Sequence, residues 1–532
     1  MTSAQPAARL EPTGEPRAAV AAVQLVLGIG ALVAVLAVVK APMFDLDRFA
    51  VPKELALLAT ATLAGLVALA GARRFAVGIV GCCLLGFAAL SVVSAVGATN
   101  HWLALRGVGI TLAAATVFAA ARWAGHRSSG VLVAACLVAA ILAGSATGLL
   151  QAYGWTADLL ADTRAPGGSL GNRNFMAHLT VIGLPLLFLL AATARRRPVF
   201  LVAAAGLAMM TAAVVLSRSR AAWVGAGAVA IVTAIAVLAG RRAGFTLDRR
   251  RAGSLALAAA AGLLGALILP NRLSWSSSSP FRDSLRGVLN YQEGSGRGRL
   301  IQYRNSLRLL RRDPIFGVGP GNWMVAYPLV TTPGDPSFAG HDPIPTNPWP
   351  SSDWVATVTE RGPLAALCWT GFLLTAAVVS LRRIRDPERG PAAVAALGVL
   401  AAVGTQGLFD AVLLLAPPTL IAMAALGTLL PPTRPVVDRP LERKARWVAG
   451  FLAVAAVLLW HSAGELRAVV TAGNGWSRPD LVEAARADPG NYRLHLALAQ
   501  RLPCPAAREH AERAAALLPN HPFPARLLRR CR

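Results

Sequence analysis

Apolar stretches of about 20 residues, each long enough to cross a bilayer as a helix, recur along most of this sequence. Nothing else limits the fold so strongly. In hydrocarbon every backbone N–H and C=O must be bonded within the protein, so repeated spans of this length mean a helix bundle. Thirteen spans are predicted, at 18–39, 54–72, 75–97, 103–121, 130–152, 175–194, 199–216, 221–239, 252–269, 363–381, 391–408, 412–430 and 446–463. The pair around Phe409-Asp410 also reads as one broken element. The first stretch is too long for a cleavable signal, and the pattern of spans continues after it. Only 15% of the residues are charged, against about 25% in soluble domains. Soluble, disordered and disulfide-scaffold classes are thereby excluded. The expected class is an all-α polytopic membrane protein of about 13 transmembrane helices with a large outer loop and a small helical tail.

Charge sets the sidedness. With the N-terminus inside, the inner connections carry 23 Lys and Arg and the short outer ones 7. The positive-inside rule then favours a cytoplasmic segment 1–17, a membrane domain 18–463 that includes an outer loop 270–362, and an outer tail 464–532. The net charge of +26 is divided among short clusters between spans. Membrane lipid head groups are therefore the expected partner, and nucleic acid is not.

The outer loop contains a predicted helix from Arg299 to about Arg312, with Leu300, Tyr303, Leu307 and Leu310 on one apolar face. Asp313-Pro314 ends it, and the glycine-rich turn Gly317–Asn322 follows. The tail reads as helices at about 478–487, 491–502, 505–517 and 522–530. Its Ala-rich helix pairs and Pro-Asn turns look like tetratricopeptide repeats, and a generic helical hairpin resting on the membrane domain is the alternative. Cys504 and Cys531, both in this tail, can pair if the compartment is oxidising. Cys82, Cys83, Cys136 and Cys368 lie in or near spans without metal-ligand spacing.

Most spans do no more than cross the bilayer. The informative residues are charged ones at outer membrane edges, which are costly and functional candidates by default. Arg218 and Arg220 sit in a short outer connection, where snorkelling to lipid phosphate is the plain alternative. Arg297, Arg299 and Arg304 begin a run that reads either as a solvated basic face or as guanidinium forks for phosphate oxygens. His341 is a candidate general base, otherwise a solvent-exposed loop histidine. Asn347, Asp353 and Glu360 follow it. Asp45 and Asp47 form a weak divalent-metal signal and read better as a turn or cap. Trp323, Trp349 and Trp354 suit either sugar stacking or membrane-edge anchoring.

Four segments together resemble the O-antigen ligase and O-antigen polymerase superfamily. Leu170–Leu179 resembles its Gly-Asn-x-Asn segment, and Ser219-Arg220-Ala221 its Ser-Arg-Gly/Ala element. Gly296–Trp323 resembles its Arg-x-x-x-aromatic helix leading to Asp-x-Pro-x-x-Gly-x-Gly, with Arg299 at the arginine position. Ser351–Gly362 resembles its His-Asn-Asp-Tyr-Leu…Glu-x-Gly segment, except that Ser351 stands where the family has histidine. His341 is the nearest outer histidine in sequence.

The resemblance implies a GT-C-like membrane glycosyltransferase. Its donor would be an undecaprenyl-diphosphate-linked glycan, and its acceptor a hydroxyl of lipid A-core or of another glycan, on the outer face of the bacterial inner membrane. An O-antigen ligase is the leading reading, with repeat-unit polymerase or protein O-glycan transferase as alternatives. Arg220, Arg299 and His341 would be catalytic. Arg218, Arg297 and Arg304 would hold the diphosphate, and Asn347, Asp353 and Glu360 would support the acceptor. Preorganised arginines can stabilise a leaving diphosphate unaided, so no metal or other cofactor is expected. The tail offers a surface for a protein partner. An anion or solute transporter is the rival class, although the sequence lacks the internal repeats usual there. A scaffold acting through its tail is a third reading.

Overall fold

The computed structural model describes residues 17–531, except 42–43, 45, 126–129, 161–163, 242–247, 276, 291, 293, 338–346, 432 and 474. Asp45 and His341 lie outside the described residues. The first nine helices are α1 (Arg17–Leu36), α2 (Asp47–Gly71), α3 (Ile79–Val96), α4 (His101–Gly125), α5 (Val131–Ala152), α6 (Arg173–Thr193), α7 (Arg197–Ser217), α8 (Arg220–Arg241) and α9 (Arg249–Ile268). The large loop holds α10 (Pro280–Leu289), α11 (Gly294–Arg308) and the single turn α12 (Trp323–Ala326). Next come α13 (Asp353–Leu381), α14 (Gly390–Phe409), α15 (Ala416–Leu429) and α16 (Lys444–Gly473). The tail is α17 (Arg478–Ala487), α18 (Tyr492–Arg501), α19 (Cys504–Leu517) and α20 (Pro522–Arg530).

Each predicted span finds a helix. Twelve helices among the described residues are long and apolar enough to cross a membrane. The thirteenth, α15, has only 14 residues, about 21 Å at the α-helical rise. All of its residues are buried. α6 and α14 are also mostly buried, whereas α9 turns most of its surface outward. The centre of the bundle is therefore α6, α14 and α15. With no hydrophobic drive between helices in lipid, small residues that allow close approach favour such packing, and α14 is rich in Ala and Gly.

Two ties define opposite faces. The strands β1 (Arg74–Gly78) and β2 (Pro435–Pro440) pair antiparallel, with Phe75 opposite Arg439. β2 lies in a connection predicted as inner, whereas β1 takes Arg74 of another such connection together with 75–78, the first residues of the span predicted at 75–97. On the other face, Asn100 Nδ2 donates to Gly490 O at 3.2 Å, and Asn322 Nδ2 donates to Asn100 O at 3.0 Å. These bonds bring together the α3–α4 connection, the large loop and the tail, all predicted as outer. The last span-length helix, α16, runs past 463 to Gly473. Its last turns join the tail in one core, in which Val469 and Ala472 meet Leu481 and Leu498.

The structure corrects the apolar face read on α11. Leu300 and Leu307 are about half exposed, and the buried positions are Gln302, Asn305, Ser306 and the following Leu309. Hydrogen bonds replace apolar area here. Gln302 Nε2 donates to Ser337 Oγ at 2.9 Å and Asn305 Nδ2 to Asp335 Oδ2 at 2.8 Å. Ser306 Oγ accepts from Trp323 Nε1 at 2.9 Å. Trp323 is wholly buried and packs on Tyr327 with ring centroids 4.2 Å apart. It is a core residue, neither a sugar platform nor a membrane anchor. Cys504 and Cys531 pair, with Cα atoms 5.2 Å apart.

Candidate functional site

The chain breaks its helical run at Asp410, and the segment 410–415 joins α14 to α15 inside the bundle. Asp353 holds this break open. Its carboxylate accepts from the N–H groups of Val412 at 2.9 Å and Leu413 at 3.0 Å, satisfying donors that a broken helix leaves free. Asp353 is thus committed to backbone support.

Asp410 collects groups from two helices, α6 and α11. Asn172 caps α6 by accepting from Asn174 N at 2.9 Å, which lets the Asn174 amide donate to Asp410 Oδ2 at 3.2 Å. One turn further along α6, His178 Nε2 lies 3.8 Å from the same oxygen, with the ring wholly buried and neither nitrogen hydrogen-bonded. From α11, Arg299 Nη2 lies 3.6 Å away. The aromatic of the Arg-x-x-x-aromatic pattern explains how Arg299 is aimed. Tyr303 Oη donates to the carbonyls of Ser351 and Leu408, the latter at 2.9 Å, and Gln302 Oε1 accepts from Ser351 N at 2.6 Å. Ser351, at the family's histidine position, thereby anchors α11 through its backbone.

Arg220 reaches the same helix. Its guanidinium donates to Gly287 O and Ser295 Oγ. Ser295 and Arg299 are four residues apart on α11 and share a face, so the two arginines stand one helical turn from each other along it. Arg218 ends α7 in the left-handed conformation, with φ 53°, uncommon for a residue with a side chain. This turn places its guanidinium 4.5 Å from the Trp275 ring centroid and its Nε 2.9 Å from Ser284 Oγ. Burial and the nearby Arg173 lower the Arg218 pKa from its usual value. Arg297 and Arg304 are exposed and project away from the Arg299 side of α11.

The glycine-rich turn locks onto the Glu360 segment. Val318 N donates to Thr359 O at 3.0 Å and Gly319 N to Glu360 O at 2.8 Å. Gly317 and Gly362 both have positive φ there, and a Cβ on Gly362 would lie 1.9 Å from Ile315 O, so no side chain fits. Glu360 is buried and takes a 3.0 Å bond from Arg361. It closes this joint. Asn347 is half-buried beside Trp349.

A cleft with about 1410 Å³ of empty space, part of it open to solvent, adjoins the break. Leu413, Leu414 and Asp353 form one wall, α2, α4 and α16 another, and the tail residues Asp488–Arg493 a third. Trp349 also lines it. Arg106 is chelated by Glu54 at 2.6 and 2.8 Å, and Arg493 pairs with Asp47 at 2.9 Å. Asp47, half of the weak metal signal, opens α2 and serves this pair. Burial raises the Asp488 carboxyl above the usual carboxylate range.

Sequence reading missed Asn174, His178 and Asp410 as site residues. Asn174 and His178 stand inside the Leu170–Leu179 motif, but nothing local to Asp410 marks its partners. Residues 205–370, from within α7 to within α13, match the family model described as O-antigen ligase. The match includes Arg220, Arg299 and Glu360, and leaves out Asn174, His178 and Asp410. No curated protein matches the chain.

Proposed function

We propose that this chain, a member of the O-antigen ligase and polymerase superfamily, moves a glycan from undecaprenyl diphosphate to an acceptor hydroxyl at the outer face of the bacterial inner membrane. The observation that carries the reading is the pair Arg220 and Arg299, held one turn apart along α11 beside Asp410. Two fixed guanidiniums at the membrane edge suit a diphosphate whose charge grows as it leaves. The acceptor oxygen bonds to the anomeric carbon as the bond to the diphosphate breaks. The acceptor proton passes to Asp410, with His341, the general base suggested by the sequence, as the alternative acceptor. Arg218 stands behind the pair, while Arg297 and Arg304 draw the anion in from solvent. Guanidinium charge serves here without a metal. The N-terminus is cytoplasmic, as the Lys and Arg count favours, and the tetratricopeptide-like tail is periplasmic.

Ligase action on lipid A-core is the first assignment. A deletion strain should then show bare lipid A-core, with long polymer stranded on undecaprenyl diphosphate. Core capped by a single repeat unit would mean polymerase instead. Replacing Arg220 or Arg299 by Ala should cut transfer by about 10²–10³-fold, as for loss of one preorganised donor, with membrane insertion unchanged. Full transfer by either variant would sink the site.

A further inference from the structure

We propose that His178 is a positioning residue for transfer: it backs Asp410 from within the bundle and holds the carboxylate in place when Arg299 turns to the diphosphate. The proposal rests on the transferase reading above and adds a residue to its machinery.

Three nitrogen donors converge on one oxygen. Asn174 Nδ2 lies 3.2 Å from Asp410 Oδ2, Arg299 Nη2 3.6 Å and His178 Nε2 3.8 Å. The other oxygen, Oδ1, accepts from Ala411 N at 2.9 Å. Hydrogen bonds from nitrogen to oxygen reach about 3.2 Å, so Asn174 is bonded to Oδ2, while Arg299 and His178 stand about half an ångström short of joining it. Asn174 and His178 are four residues apart on α6 and share a face. Asp410 and Arg299 keep 12% and 21% of their side-chain surface open, whereas His178 keeps none. A substrate that touches Arg299 and Asp410 therefore does not touch His178, and the effect of the imidazole passes through the carboxylate.

This imidazole is a cost to the fold. Neither of its nitrogens has a hydrogen-bond partner, and polar groups buried unmet are destabilising. A leucine would fill the same space without that cost. Departures of this kind belong where function uses them.

The reaction supplies the use. Arg299 faces Asp410 until the diphosphate arrives. Its guanidinium then turns to the phosphate oxygens, and Oδ2 loses one of its three donors. With its proton on Nε2, the imidazole offers an N–H that closes the remaining gap and takes the place Arg299 leaves. Asp410 then stays fixed for the acceptor hydroxyl. No bond is made or broken at His178. Ser351, at the family's histidine position, meets α11 through its backbone. Among the described residues, His178 is the histidine within 4.0 Å of Asp410.

The test uses the full chain in nanodiscs, with the lipid-linked glycan and the acceptor that accumulate in the deletion strain as substrates. His178→Gln keeps an N–H near the Nε2 position, His178→Asn places it near Nδ1 instead, and His178→Leu removes it. The Asn and Leu variants should lower kcat about tenfold or more, the worth of one well-placed hydrogen bond, with KM for the donor nearly unchanged. The Gln variant should recover most of that loss. The melting temperature of His178→Leu should stay level or rise, since an apolar group replaces an unpaired buried polar one. Wild-type kcat in His178→Leu overturns the proposal. Equal loss in the Gln and Asn variants overturns it as well, as does a loss of rate that tracks a fall in melting temperature across all three. If His178→Leu fails to insert, the comparison of Gln with Asn decides alone. Arg299→Ala separates this role from the reading it rests on. If that variant transfers at the full rate, the transferase site itself falls. If it loses transfer while all three His178 variants keep theirs, that site stands and the role of His178 falls.

Discussion

The arginines around α11 and those lining the cleft are held in different ways. On the α11 side, the Arg218 guanidinium is held by the neutral Ser284 Oγ, and that of Arg220 donates to Gly287 O and Ser295 Oγ. Arg299 there shares a single carboxylate with Asn174. On the cleft side, Arg106, Arg361 and Arg493 are each bound to a carboxylate at 3.0 Å or closer. An arginine fixed by neutral acceptors keeps its charge for an incoming anion. One chelated by a buried acid is part of the scaffold. What separates the two kinds is the partner, and the residue type alone says nothing.

Substitutions can break that contrast. The largest effect is expected at Glu54→Leu, which leaves Arg106 without its chelating acid in a buried setting. Loss of one partner of such a pair costs about 3–5 kcal/mol, and a thermal melt of the detergent-solubilised protein should fall accordingly. Arg299→Ala should leave that melt nearly unchanged while cutting transfer by about 10²–10³-fold. If instead Arg299→Ala lowers the melt as much as Glu54→Leu, the distinction between charge site and scaffold fails.

A smaller effect is expected at Tyr303→Phe. The hydroxyl tethers α11 to the carbonyls of Ser351 and Leu408, so its loss lets Arg299 drift from Asp410. Transfer should drop about tenfold, the worth of one well-placed hydrogen bond, with KM for the donor rising more than kcat falls. An unchanged rate would show that Arg299 is aimed by something else.

The smallest effect concerns the tail, which helps to wall the cleft. His495 Nδ1 and His510 Nδ1 lie 3.0 Å apart between α18 and α19. Burial lowers both pKa values from the usual one. Groups held neutral in this way stabilise the fold fully above their unfolded pKa of about 6.5, and that contribution is lost as the pH falls through the lowered values. The protection of α18 and α19, taken as exchange corrected for the intrinsic rate at each pH, should fall on going from about pH 7.5 to about pH 5.5, while that of α11 stays level. An equal loss of protection in both would mean that the pair does not govern the tail.

Much of this molecule was legible because its signals are local. Hydropathy over about 20 residues locates every span, and caps such as Ser477 and Asn491 bracket the tail helices. Arg220 and Arg299 stood out as cations at a membrane edge. The Asp410 junction was not legible, since Asn174 and Asp410 are 236 positions apart and meet only through tertiary packing. The buried side of α11 was misread for a related reason. Polar residues there are buried because partners from Asp335, Ser337 and Trp323 satisfy them, and no periodicity of apolar residues records that.

The two-stranded ladder has a consequence for how the chain is made. Arg74 and Asp438, bonded at 2.8 Å, are 364 positions apart. At a synthesis rate of about 5–20 residues per second, β1 waits roughly 20–70 s for the ribosome to deliver its mate. Throughout that interval it is an unpaired edge at the mouth of the insertion machinery, the kind of template that recruits wrong partners. Arg73 and Arg74 at its start keep that edge charged. The last connection of the membrane domain then closes onto the second, so the bundle is latched only when nearly all of its helices are already in place.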